Sequence, residues 1–342
     1  MEPPRKVLII RPSAMGDVAR TVPALASLRA AFPEARIDWL VQNGFEPVVG
    51  NHPALSNVIT FPKKHLVAAL KQLRLGPLRT FTRSLRETGY DMVFDLQGLA
   101  RSGYLAWASG APLRFGQANA RELGWLGYNR RVHVSNDVHV VERMLRIVAL
   151  AGVTPLHDMR LYTSDAHRAW AVATLGTPAP VVLAPTSAWA SKQWPAERFV
   201  ALAEAMLARG HRVAIIGGPG EEAKVRPLVE LAGRRPEVLN LIGRTSVGQM
   251  MAAIQHAALL VGNDSAALHM AVGFSRPMVA LLGATVVGRG GPFGRERDVI
   301  QHLQPGDVMS FKRPGAETLM ERISVEEVIE ACEARLTSPR PG

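Results

Sequence analysis

The feature that most limits the fold is a pattern that occurs twice. A short apolar run, Lys6-Val7-Leu8-Ile9-Ile10, ends in a polar turn from Arg11 to Asp17, and residues 18–32 follow as an amphipathic stretch. The same order restarts at Val181-Val182-Leu183-Ala184-Pro185. A buried strand, a turn and a helical period form the repeating unit of a parallel sheet covered by helices. Residues 37–41, 58–61 and 92–95 continue the strands of the first half, and 212–216, 259–262 and 278–282 those of the second. Helices are expected at about 196–209, 247–257 and 325–336, while Pro23 leaves open whether the first helix kinks or starts afresh. With 342 residues and Thr177-Pro178-Ala179-Pro180 as punctuation, the pattern predicts two α/β domains, 1–176 and 177–342. Each is a doubly wound, Rossmann-like sheet. The two are expected to face each other across a cleft, with the last helix packing back on the first domain and residues 337–342 as a frayed tail.

Composition removes other classes. Apolar residues make up 47%, and Pro plus Gly 54 of 342, which excludes disorder and collagen-like repeats. No apolar run approaches the ~20 residues of a membrane helix. The N-terminal run is shorter than the ~7–15-residue core of a signal peptide. A soluble, cytoplasmic protein is expected. Cys332 is the one cysteine, so no intramolecular disulfide or cysteine-cluster zinc site can form. Forty Lys and Arg against 29 Asp and Glu give +11, which suits nucleic acid, anionic lipid headgroups or a phosphorylated substrate. Aromatics are only 6% and no basic run is interleaved with rings, which weakens the nucleic-acid reading.

In parallel sheets the ligand lies beyond the carboxyl ends of the strands. Segments 11–17, 95–102, 185–192 and 262–269 fall there. Asp17 follows a glycine after the first strand and reads either as a helix cap or as a general base kept ionised by Arg11. Thr186, Ser187 and Lys192 suit a phosphate, though the Gly-x4-Gly-Lys spacing of a Walker loop is missing. Gly217-Gly218-Pro219-Gly220-Glu221-Glu222 opens a helix; a glutamate there can take ribose hydroxyls or merely favour the helix dipole. Asp264, Ser265, Ala266 and His269 begin another helix and fit a diphosphate and a sugar, or plain caps and a core histidine. Asp264 and His269 lack the further ligands of a metal site. Lys63, Lys64, Arg74, Arg79, Arg83 and Arg86 form a solvated helical face or a collar for an anionic acceptor near a membrane.

Together these segments resemble glycosyltransferase family 9, the bacterial lipopolysaccharide heptosyltransferases, and within it the branch that adds the first heptose. The likeness runs through K-V-L-I-I-R-P-S-A-M-G-D-V-A-R-T-V-P at 6–23, D-L-Q-G-L-A-R-S at 95–102, Ala120-Arg121-Glu122, Tyr128-Asn129-Arg130 and His139-Val-Val-Glu-Arg143. It continues in Lys192-Gln193-Trp194-Pro195 and the Asp264 to His269 spacing. Ser265 and Ala266 stand where the family commonly has threonine and glycine, and Asn263 is a further difference.

The resemblance implies a GT-B fold and an inverting transfer of heptose from ADP-L-glycero-D-manno-heptose to Kdo-lipid A. It needs no metal or other cofactor. Asp17 would be the base. Ser187, Lys192, Ser265 and Ala266 would hold the diphosphate and Glu222 the ribose, with Thr186 also among the donor-binding residues. Asp264 with His269 would take the donor sugar, and the 241–245 loop with Thr245 would border the adenine. Lys64, Gln97, Arg121 and His139 would bind the acceptor. A monomer in peripheral contact with the inner face of the inner membrane, without a nucleic-acid partner, is implied. Alternatives are a second-heptose transferase, a family member using another nucleotide sugar, and a non-catalytic nucleotide- or lipid-binding protein. A Rossmann dehydrogenase is disfavoured because no Gly-x-Gly-x-x-Gly follows a strand.

Overall fold

A computed structural model describes residues 2–313 and 315–337, without the side chain of Leu70. Of the expected tail, Thr337 closes the last helix, and 338–342 lie outside the described residues. The chain divides into two units, residues 1–162 and 163–342.

The first unit is built on a six-stranded parallel sheet: β1 (Lys6–Ile10), β2 (Arg36–Gln42), β3 (Asn57–Phe61), β4 (Met92–Asp95), β5 (Leu113–Gln117) and β6 (Arg130–Val132), in the order β3-β2-β1-β4-β5-β6. β1 lies between β2 and β4, and Val7, Leu8, Ile9 and Ile10 are all fully buried, as a central strand with both faces covered requires. The second sheet has β7 (Val181–Ala184), β8 (Val213–Ile215), β9 (Val238–Asn240), β10 (Leu259–Asn263), β11 (Met278–Leu281) and β12 (Val299–Ile300), in the order β12-β11-β10-β7-β8-β9. In each sheet the strand order reverses once, between β1 and β4 and between β7 and β10. Those switch points are where doubly wound sheets receive ligands.

The amphipathic stretch after β1 forms two helices, Met15–Arg20 and Val22–Ala31. Pro23 has no N–H for the carbonyl one turn back, so the first helix ends and Pro23 enters the first turn of the next.

One boundary expectation needs correction. The units part at 162/163 rather than 176/177 because the helix Asp165–Leu175 packs on the helix Val247–His256, with Thr163 hydrogen-bonded to Gln255. The proline-rich stretch therefore leads into β7 within the second unit. The final helix, Val325–Thr337, packs within the second unit. Val328 and Cys332 are buried in the second core, against the helix Ala196–Ala208 and strands β10 and β11.

Candidate functional site

At the first switch point, Asp17 sits in the opening turn of the helix Met15–Arg20. Its Oδ2 is 3.0 Å from Nη2 of the buried Arg11 and accepts the Ala14 N–H at 3.3 Å, while Oδ1 pairs with Arg20. Burial pushes the carboxyl pKa up, but the two guanidinium charges and these hydrogen bonds outweigh it and hold the group well below the usual carboxylate range. Arg143 adds to the positive charge. Burial and the charges of Arg11, Arg20 and Arg121 lower its pKa, against the opposing pull of Asp17. Its Nη1 donates to Asn136 at 3.1 Å. The result is an ionised carboxylate, about one quarter exposed, among more cations than it can neutralise.

Other sequence-selected residues take different places. Gln97, after β4, accepts the Ser13 N–H at 3.3 Å and so joins the Asp17 turn. Arg121 is exposed, and its backbone N–H donates to Gly98. His139 is buried and caps the helix Val140–Ala149, its Nδ1 accepting the Val141 N–H at 3.2 Å. That cap sets the first turn on which Arg143 lies. Lys64 is exposed on the helix Lys63–Lys71, and no contact brings it to this group. Arg20 and Arg143 were not singled out from the sequence. The signal was present in the spacing, since Arg20 lies three residues from Asp17 on a short helix and Arg143 four from His139.

At the second switch point the loops after β7 and β10 are tied together. Asn263 donates to the Pro185 carbonyl at 2.6 Å and accepts the Trp194 N–H at 3.1 Å. These two buried hydrogen bonds give Asn263 a structural role in holding the two loops together. Ser187 Oγ donates to the Asp264 carbonyl at 3.2 Å. Lys192 Nζ lies 2.6 Å from Asp264 Oδ2 and 4.2 Å from the centre of the Phe311 ring. Thr285 Oγ1 donates to the same carboxylate oxygen at 2.6 Å. Burial raises the Asp264 pKa, but Lys192, Thr285 and His269 lower it further, so the net direction is down. Ser265 stands at the N-cap of the helix Ala266–Gly273 without bonding its side chain to the helix, so it does not act as the ordinary cap. The first N–H groups of that helix therefore have no side-chain acceptor from their own cap, an arrangement that suits an anion.

Thr186 is buried. Its hydroxyl donates to Glu221 Oε2 at 2.7 Å, and Glu221 also takes the Gly218 N–H at 2.8 Å and Lys224 at 3.0 Å. Of the glutamate pair, Glu221 shapes the loop. Glu222 instead lies against Gly243, whose φ of +68° lets the backbone turn beneath it. Thr245, half-buried, follows in the same loop. Among the described residues no group of three or more His, Cys, Asp or Glu side chains gathers as a metal site.

Two doubly wound, six-stranded parallel-sheet units are the architecture of a GT-B-type glycosyltransferase. The family model described as glycosyltransferase family 9 (heptosyltransferase) matches residues 78–319. Lipopolysaccharide heptosyltransferase 1 of Pseudomonas aeruginosa is 33% identical over 85% of this chain and 82% of its own. Lipopolysaccharide heptosyltransferase 2 of Escherichia coli K12 is 26% identical over 81% and 82%. An E. coli heptosyltransferase solved with ADP-2-deoxy-2-fluoro heptose superposes with a TM-score of 0.74 at 25% identity, over 96% of this chain and 99% of its own. The chain belongs to glycosyltransferase family 9, the heptosyltransferases of lipopolysaccharide synthesis, and is an enzyme of that class.

Proposed function

We propose that the protein transfers heptose from ADP-L-glycero-D-manno-heptose to Kdo-lipid A, with inversion at the sugar carbon. Asp17 takes the proton of the acceptor hydroxyl as its oxygen bonds to the anomeric carbon and the bond to the diphosphate breaks. Lys192, Ser187 and the N-terminal turn of the helix Ala266–Gly273 receive the charge growing on the departing ADP. Asp264 and His269 contact the sugar, Glu222 the ribose and Thr245 the adenine side. The cations around Asp17, with Arg121 and Gln97, take the acidic acceptor. Lys64 and His139 carry less of that load: one is exposed on the helix Lys63–Lys71 and the other caps a helix. The enzyme works as a monomer at the inner face of the inner membrane.

The observation that carries the donor assignment is the Lys192–Asp264 pair beside an uncapped helix start at the β7/β10 switch point. First-heptose transfer is favoured over second because the named heptosyltransferase 1 shares more identity with this chain than the heptosyltransferase 2 does. The test is calorimetric titration with ADP-heptose, UDP-glucose and GDP-mannose. Only the ADP-sugar is expected to bind. Preference for either of the others retires heptose as the transferred group while leaving the family intact.

A further inference from the structure

Charge and exposed apolar surface concentrate in one part of the first unit. Residues 63–131 carry twelve Lys and Arg against four Asp and Glu, so they hold eight of the protein's eleven excess positive charges. In the same stretch Trp107, Leu123 and Leu126 are each about 60% exposed, and Tyr104 41%. These four side chains line one open groove of about 370 Å³ between the helix Ala100–Ala108 and the 3-10 segment Arg121–Gly127.

The surface is built rather than incidental. The two segments meet backbone to backbone: a Cβ on Gly103 or Gly127 would come within 2.1 or 2.0 Å of the opposing carbonyl oxygen. With glycines filling the contact, the large side chains beside it have no room inward. Glu122 and Leu123, at φ of +55° and +62°, turn the chain so that Leu123 faces out. Trp125 stays half-buried under the Arg131 guanidinium, 5.1 Å away. Arg86, exposed on the helix Gly76–Thr88, lies against Gly110 at the far end of the Trp107 helix. Arg79, Arg83, Arg121 and Arg130 are also exposed. Among the described residues no helix is long and apolar enough to cross a membrane.

We propose that Tyr104, Trp107, Leu123 and Leu126 form a docking surface for an anionic bilayer, inserted at headgroup depth while the neighbouring arginines meet the lipid phosphates. Trp and Tyr suit that depth because each joins an apolar ring to a polar tip, and the two leucines reach the first acyl carbons. The arginine excess supplies the matching charge, which an apolar partner surface or a second copy of this basic chain does not answer. The inference rests on the membrane-side reading above and gives it a surface.

The test is co-sedimentation of the full chain with vesicles of phosphatidylethanolamine and phosphatidylglycerol, against phosphatidylcholine alone. The wild type is expected on the anionic vesicles, weakening with salt. The triple variant Trp107→Ser, Leu123→Ser, Leu126→Ser should lose about tenfold in vesicle affinity with its melting temperature and ADP-sugar affinity unchanged. Arg79→Gln with Arg83→Gln should lose roughly fivefold. Undiminished vesicle binding by the triple variant, equal binding to both vesicle types, or a change only from dimer to monomer overturns the proposal. Because sedimentation needs neither donor nor transfer, failure here and failure of the heptose assignment are separate results.

Discussion

Asp17 at the first switch point and Asp264 at the second stand in opposite electrostatic company. Asp17 has Arg11 and Arg20 in direct contact, with Arg143 and Arg121 close enough for each to affect the other's charge. Asp264 is paired with Lys192 and accepts from the Thr285 hydroxyl, with His269 adding a weaker pull. The first carboxylate is partly open to water, and the second is 9% exposed. The first region is thus left with surplus positive charge, prepared for an acidic ligand. The second is a closed ion pair, and under the proposed function a diphosphate arriving there would draw Lys192 away from its partner. One region attracts charge, while the other exchanges one anion for another.

The sharpest test of this contrast is Asp17→Asn. In the free enzyme the arginines make Asp17 a weak base. An acidic acceptor laid against them offsets their field and raises the carboxyl pKa toward a working value. Asparagine keeps the shape and cannot take the proton. Turnover should fall by about 10²- to 10⁴-fold, with ADP-sugar affinity unchanged. Measured turnover within tenfold of the wild type would remove Asp17 as the base.

The sequence revealed the two sheets and both switch points because their central strands, β1, β4, β7 and β10, are continuous apolar runs. The outer strands β5, β6, β9 and β12 escaped notice. They are short, and Arg130-Arg131-Val132 or Val238-Leu239-Asn240 lacks a pattern of its own; pairing with a neighbour makes them strands. At the site, residue type told which loops matter but not which side chain is spent on the fold. Thr186 and Glu221 consume each other, and His139 caps a helix. Nothing local distinguishes Glu221 from Glu222, because the difference lies in a contact 35 residues away.

The second region breaks differently. Lys192→Ala removes the cation that pairs with a nearly buried carboxylate, so the protein should lose about 3 kcal/mol of stability as well as its donor affinity. Adding Asp264→Asn to that variant should return most of the stability, since the uncompensated charge is gone, and none of the donor binding. Denaturant unfolding of the single and double variants separates the two effects. If the double variant is no more stable than Lys192→Ala, the two side chains are not the closed ion pair described.

The smallest effect concerns acid. Both carboxylates titrate below their ordinary range, so the stability they contribute is complete above the unfolded value of 3.8 and is lost as pH falls through their lower folded values. His52, in the first unit, adds sensitivity at milder pH. Burial lowers its pKa from 6.5 to about 4, with Asp158 opposing and Arg160 assisting. The ring packs edge-on to Tyr162 at 4.8 Å, and its Nδ1 accepts the Ala54 N–H at 3.1 Å. The unfolded chain therefore binds a proton that the folded one refuses between pH 6.5 and 4, and stability falls as pH drops through that window. With allowance for solvent screening, the loss at pH 5 is about 1 kcal/mol. His52→Gln should flatten the unfolding midpoint between pH 6.5 and 5 while leaving the steeper loss below pH 4 in place. An unchanged slope in the variant would mean that the first unit's acid response comes from elsewhere, and that its carboxylate site alone sets it apart from the second.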